Sequence, residues 1–221
     1  MGDGGGVGGH GATGVSGFVE PVTLTGQRWV SLEPLSRGHV PEIAAASADG
    51  DVGGLWFTGA PSPQTASQWV DMRLGLQNPE TGLTFVVRRL DDTADARRDQ
   101  GAVVGSSSYL NVDAPNRRVE IGNTWYGASA RRSGINTETK LLMLGHAFDV
   151  LNCVAVEFRT HFFNFTSRTA IERLGAKLDG ILRSHQLVPD GTRRDTVVYS
   201  ILDVEWPTVA THLKFRLDRH G

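Results

Sequence analysis

Arg131-Arg132-Ser133-Gly134-Ile135-Asn136-Thr137-Glu138 joins two patterns of different period. Before it, Arg118–Tyr126 alternates as a strand does and ends on Trp125-Tyr126. After it, Leu141, Leu144, Ala147-Phe148 and Leu151 recur on one face of a helix expected over residues 134–151. A glycine-bearing turn at a helix start offers several backbone N–H groups to one point. The helix dipole adds positive potential there, and together they suit a phosphate or pyrophosphate. Arg131 and Arg132 would add charge-assisted contacts. The same residues also suit a loop that only caps the helix, with Asn136 or Thr137 as cap. Local chemistry leaves both readings open.

Upstream of this stretch, residues 28–35 alternate Trp29, Ser31 and Glu33 against Val30, Leu32 and Pro34, a strand pattern. A helix over 36–48, with Ser36 as cap, and another over 63–76 flank a glycine- and proline-rich loop at 49–63. Strands follow at 83–90 and 102–112, and the turn Asp113-Ala114-Pro115-Asn116 leads into the central strand. Downstream come a strand at 154–160 and a helix at 165–174 ended by Gly175. A hairpin of 177–188 and 192–204 around Pro189-Asp190-Gly191 precedes a terminal helix over 207–217. Three antiparallel strands followed by a β-α-β crossover predict a mixed α/β (α+β) domain. Its central, twisted, mostly antiparallel sheet has about seven strands and helices on both faces.

Composition narrows the function classes. The chain has 221 residues, 39% apolar and 21% charged, with net charge −2. That balance gives no electrostatic case for nucleic acid. Cys153 is alone, so no internal disulfide forms, and zinc-type ligand spacings are absent. No apolar run is long enough to span a membrane, and the glycine-rich start is unlike a secretory signal. We expect a cytoplasmic protein without a metal. Residues 1–18 read as a disordered tail and 19–221 as one domain. Within the tail, Gly9-His10-Gly11-Ala12-Thr13-Gly14 has the dinucleotide-fingerprint spacing but lacks the flanking strand and helix.

The decisive stretch resembles motif A of the GCN5-related N-acetyltransferase (GNAT) superfamily, R/Q-x-x-G-x-G/A. Arg131, Gly134 and Asn136 take its three positions, Asn136 departing from the usual Gly or Ala. Arg117-Arg118-Val119-Glu120-Ile121-Gly122 resembles the fourth strand of the RimJ/RimL-like branch. Asn164, Ser167 and Ile171-Glu172-Arg173-Leu174-Gly175-Ala176 are similar to that branch's N-x-x-S-x-x-x-x-E-[KR]-L-G-[FA]. Gly180-Ile181-Leu182-Arg183 and Asp195-Thr196-Val197-Val198-Tyr199-Ser200 resemble its closing hairpin. The resemblance extends from about residue 28 to 206.

This resemblance implies an acyl-CoA-dependent N-acyltransferase with acetyl-CoA as cosubstrate, bound where the fourth and fifth predicted strands splay apart. The backbone of Arg132, Ser133, Gly134, Ile135, Asn136 and Thr137 would take the pyrophosphate beside Arg131. Main-chain groups of Thr124, Trp125 and Tyr126 would pair with the pantetheine arm, one N–H polarising the thioester carbonyl. Asn164 would also touch that arm. Many members protonate the leaving thiolate with a tyrosine where this chain has Ile171. Ser167 is the candidate donor instead, unless its hydroxyl serves a helix-start amide. Glu157 and Glu120 are candidate bases, unless they are strand carboxylates paired with Arg118, Arg159 or Arg168. The acceptor would be a primary amine, on a protein N-terminus or a small molecule. Its pocket would come from residues 49–63 and 189–193, with Trp56 and Phe57 as walls and Asp49, Asp51 or Asp190 as charge or turn residues. The alternatives are a non-catalytic acyl-CoA-binding module and an enzyme for another acyl-CoA such as succinyl-CoA. A second copy of the chain would be accommodated by the terminal helix or an exposed strand edge.

Overall fold

A computed structural model describes residues 18–50, 52–54, 58–90, 101–188 and 191–219. Among these described residues, eight strands form one sheet: β1 (Leu24–Thr25), β2 (Val30–Pro34), β3 (Leu83–Arg89), β4 (Val103–Asp113), β5 (Arg118–Tyr126), β6 (Ala155–His161), β7 (Lys177–Leu187) and β8 (Arg193–Leu202). Their spatial order is β1-β2-β3-β4-β5-β6-β8-β7. Only β5 and β6 run parallel, as a β-α-β crossover requires. The sheet is the expected mixed, mostly antiparallel one, with one short strand beyond the expected count of about seven. β1 has two residues, pairing Leu24 with Leu32 and Thr25 with Ser31, too few to show a period.

Helices lie on both faces. On one, α1 (Val40–Ala48) and α2 (Ala66–Gly75) pack Ile43, Trp69 and Val70 against Val86, Val103 and Trp125. On the other, α3 (Ile135–Gly145), α4 (Phe165–Glu172) and α5 (Trp206–Asp218) bring Met143, Leu144, Ile171, Val209 and Leu213 onto Ile121, Phe158 and Tyr199. The predicted helix over 134–151 is α-helical only to Gly145 and continues as a π-turn, His146–Val150. The helix expected from residue 63 starts at Ala66, because Ser62 and Thr65 exchange hydroxyl and amide bonds in a preceding turn. No helix among the described residues is long and apolar enough to cross a membrane. The tail to residue 17, its glycine motif, Asp51, Trp56, Phe57, Pro189 and Asp190 lie outside the described residues.

One buried cation ties three elements together. Arg88 on β3 is 8% exposed. It holds Glu33 of β2 through Nε at 2.8 Å, Glu42 of α1 through Nη1 at 2.6 Å, and the Gly101 carbonyl at 2.7 Å. The hydrogen bonds it donates to Glu42 and Glu33 push its pKa upward, and the same donation holds the Glu42 carboxyl below the usual range. Removing one partner of such a cluster strands the other charges. Arg88→Ala should therefore lower stability by about 3 kcal/mol, read as a denaturant midpoint shift. A midpoint equal to wild type would show the cluster to be solvated.

Candidate active site

β5 and β6 pair only at Arg118–Ala155, Val119–Val156 and Glu120–Glu157. Beyond these pairs β5 runs on to Tyr126 and β6 to His161 with no ladder between them. The sheet thus opens into a V between the strands expected to splay. The bend has a local cause. Ser106 pairs with Trp125 and Ser108 with Gly122, so Ser107 faces both Asn123 and Thr124. Asn123 takes φ +48°, the backbone of a β-bulge, which bends and twists a strand.

At the open end, the chain leaves Tyr126 through a loop into α3. Ser133 donates its hydroxyl to the Ala130 carbonyl at 2.7 Å and accepts the Ile135 amide at 3.3 Å. Asp49 pins the same loop, accepting the Ser129 amide at 2.9 Å through its carboxylate and the Ala128 amide at 2.7 Å through its carbonyl. The bonds from Ser129 hold the Asp49 carboxyl below its usual range. Asp49 thus serves the turn that holds this loop. The capping reading of Asn136 and Thr137 fails: Gly134 is the N-cap and no side chain caps α3. Among the described residues, the amides of Arg132, Ser133, Gly134, Asn136 and Thr137 have no acceptor. Arg131 and Arg132 are exposed beside them. An unpaired cluster of amides at a helix start fits a pyrophosphate.

Gly134 is required for close packing. A Cβ there would lie 2.4 Å from Nε1 and 2.5 Å from Cε2 of the Trp29 indole. Trp29 is fixed in turn by Glu138, buried in the first turn of α3. Its Oε1 accepts the amides of Gln27 (3.0 Å) and Arg28 (3.2 Å), and its Oε2 those of Trp29 (2.6 Å) and Val30 (2.8 Å). One carboxylate thereby fastens the start of β2 to the start of α3.

At the vertex of the V the two candidate bases are register partners on one face, and the structure separates their characters. Arg118 Nη2 lies 2.6 Å from Glu157 Oε1, and Arg159 Nη2 lies 2.8 Å from Oε2. Burial alone would raise the Glu157 carboxyl, but the bonds from Arg118 and Arg159 outweigh it and hold it below its ordinary value. Glu120 is 7% exposed. It accepts one bond, from Asn111 Nδ2 at 2.6 Å, and has Arg159 Nε at 3.6 Å. Burial pushes its carboxyl up, and the neighbouring Glu157 charge adds to that. Asn111, Arg159 and Arg194 oppose the rise without cancelling it. Glu157 is the paired strand carboxylate, and Glu120 the stronger proton acceptor. The third expected partner, Arg168, turns away to the Tyr199 hydroxyl and the Phe162 carbonyl.

Beyond the far end of β6, Asn164 caps α4, its Oδ1 accepting the Ser167 amide at 3.0 Å. The cap of that helix is therefore Asn164, which leaves the half-buried Ser167 hydroxyl without a partner among the described residues. Ile171 is a core side chain, 8% exposed. Thr124 turns its hydroxyl toward α3, and Trp125 sends its indole edge-on to Trp69 on the opposite face, centroids 6.0 Å apart. Only main-chain groups of this segment remain to face the V. No cluster of three or more His, Cys, Asp or Glu among the described residues is placed to hold a metal. Sequence reasoning missed Asn111, Trp29, the role of Glu138, and Lys140. The signals were slight: an asparagine inside a strand, and a lysine on the buried stripe of a helix.

The fold and this site define an acyltransferase class. The family model for the acetyltransferase (GNAT) domain matches residues 30–177, and the chain belongs to that family. It is 31% identical to a GCN5-related N-acetyltransferase from Brucella melitensis, with TM-score 0.77 over 90% of this chain and 87% of that one. It is also 31% identical to a structure from T. thermophilus described as an acetyltransferase, with TM-score 0.74 over 90% and 98%. Mycobacterium smegmatis RimJ, solved with CoA-disulfide, shares the fold at 21% identity, with TM-score 0.68 over 89% and 95%. No curated protein sequence matches.

Proposed function

We propose that this GNAT protein transfers an acetyl group from acetyl-CoA to a primary amine by direct attack in a ternary complex. The observation that carries this is the V between β5 and β6, with unpaired amides of the α3 start at its open end. Ser133, Gly134, Asn136 and Thr137 would hold the pyrophosphate through backbone N–H groups, with Arg131 and Arg132 adding charge. Main-chain groups of Thr124, Trp125 and Tyr126 would pair with the pantetheine arm, and Asn164 would meet it from α4. Bound acetyl-CoA supplies the activated acyl group. Glu120 would take the proton from the attacking ammonium, directly or through water, because burial raises its carboxyl above its ordinary value and it is only lightly bonded. Glu157 would orient Arg118 and Arg159 around it. The Ser167 hydroxyl would protonate the leaving thiolate, the role left vacant by Ile171 where many members have a tyrosine. The RimJ/RimL-like motifs favour a protein N-terminus as acceptor over a small-molecule amine, in a cytoplasmic setting. The long exposed edge strand β7 would seat a second copy.

Calorimetric titration with acetyl-CoA, with CoA and a dinucleotide as controls, tests this reading. Micromolar acetyl-CoA binding is expected, with no dinucleotide binding. Gly134→Val should abolish it by driving Trp29 out of place and displacing the amides. A folded sample that binds no CoA would overturn the assignment.

A further inference from the structure

Lys140 lies one turn and a half into α3, 5% exposed, with its ammonium inside the protein. No ion pair reaches it among the described residues. Its Nζ donates instead to two hydroxyls, Ser107 Oγ of β4 at 2.9 Å and Thr124 Oγ1 of β5 at 2.7 Å, which are themselves 2.8 Å apart. These two residues are the two sides of the bulge that bends β5 away from β6. A buried charge without a counter-charge is costly. A threefold hydrogen-bonded knot beneath a strand irregularity is therefore not explained by stability alone. The neighbouring titratable groups on the same face, Tyr109 of β4 and Tyr126 of β5, are both raised by burial and stay neutral. On α3 itself, Glu138 is spent on the Gln27–Val30 amides.

We propose that Lys140 is a positioning residue for acyl transfer: by clamping Ser107 to Thr124 it holds the bulge at Asn123–Thr124, and with it the main-chain groups that face the acyl thioester. The inference rests on the reading that acetyl-CoA lies along β5. Ground-state affinity comes mainly from the pyrophosphate loop, which the clamp does not touch. Donors aimed at the reacting carbonyl act chiefly on turnover. Lys140 thus separates kcat from KM. Its own stability effect has the opposite sign: burial pulls its pKa down to about 7, so the folded state disfavours the ammonium. An apolar side chain of similar length removes that penalty.

The test is Lys140→Met, read in three ways. First, kcat should fall about 10- to 100-fold, since one oxyanion donor typically contributes about 10²–10³ and the clamp acts at one remove. The KM for acetyl-CoA and its calorimetric Kd should stay within about threefold of wild type. Second, the Tm should stay level or rise. Third, amide hydrogen exchange of residues 121–126 in the free protein should quicken, a readout independent of turnover. Ser107→Ala, which removes one end of the clamp and keeps the lysine, should show the same split more weakly. If Lys140→Met does not fold, this second variant decides. Unchanged kcat, or kcat falling together with affinity and Tm, would overturn the positioning role. Wild-type binding of acetyl-CoA keeps the tests distinct: its absence overturns the proposed function, while its presence beside a kinetically silent Lys140→Met overturns only this inference.

Discussion

Glu120→Gln should lower kcat by about 10²-fold or more, the scale of a lost general base, while the protein stays folded and still binds acetyl-CoA. Glutamine keeps the shape and can meet Asn111, but it takes no proton. The stability effect follows from the direction of the pKa shift. A carboxyl raised in the folded state binds its proton more tightly there than in the unfolded chain. The fold therefore gains from the protonated form, and loses that gain as pH rises through the raised value. At pH 7.5 the variant should be at least as thermostable as wild type, with the activity loss separate from unfolding. The pH profile should change with it: in wild type, kcat/KM rises along a limb displaced upward from an ordinary carboxylate, and the variant lacks that limb. Glu157→Gln should behave oppositely in stability. Its depressed carboxyl stabilises the fold above the ordinary carboxylate pKa and loses that contribution as pH falls through the lowered value. Full turnover in Glu120→Gln, measured as thiol release across an amine panel, would remove Glu120 from the mechanism.

Glu138→Ala should cost about 3 kcal/mol or more, from buried amides left without an acceptor and a charge-assisted network lost. For a chain of this length that corresponds to a Tm fall of roughly 6–12 °C. The Trp29 and Val30 amides carry most of it, because they are the shorter bonds and the better buried ones. Water can replace the carboxylate at Gln27 and Arg28. Acetyl-CoA affinity should drop as well: once the start of β2 is released, Trp29 no longer holds Gly134 and the amides of the α3 start lose their common aim. Glu138→Gln keeps one acceptor oxygen and should fall between the two. A Glu138→Ala melting point within about 2 °C of wild type would show that the 27–30 segment is held by its strand pairing with β3 alone.

The two variants mark where local sequence stops being informative. Glu138 sits inside the stretch that decides the fold, yet its partners lie more than a hundred positions upstream. Glu120 and Glu157 look alike in sequence, each a glutamate on an alternating strand near arginines. Register makes them neighbours, and two guanidiniums then close on one of them. The turn role of Asp49 comes from the Ser129 amide, 80 positions downstream, on its carboxylate. Lys140 carried no motif, and its meaning comes from two hydroxyls on two different strands.

What the sequence determined by itself are features set by local rules: the strand and helix periods, the glycine at the α3 start, and the strand-loop-helix order that marks the GNAT family. Each depends on side-chain spacing and backbone preference over a few residues, which a linear pattern records. Only the tertiary structure decided where the sheet opens, which glutamate keeps its basicity, and why residue 134 has no side chain. Those depend on a bulge opposite Ser107, on guanidiniums at 2.6 and 2.8 Å from Glu157, and on an indole packed against Gly134. Solvation and charge act through distance in space, and strands far apart in the chain set those distances.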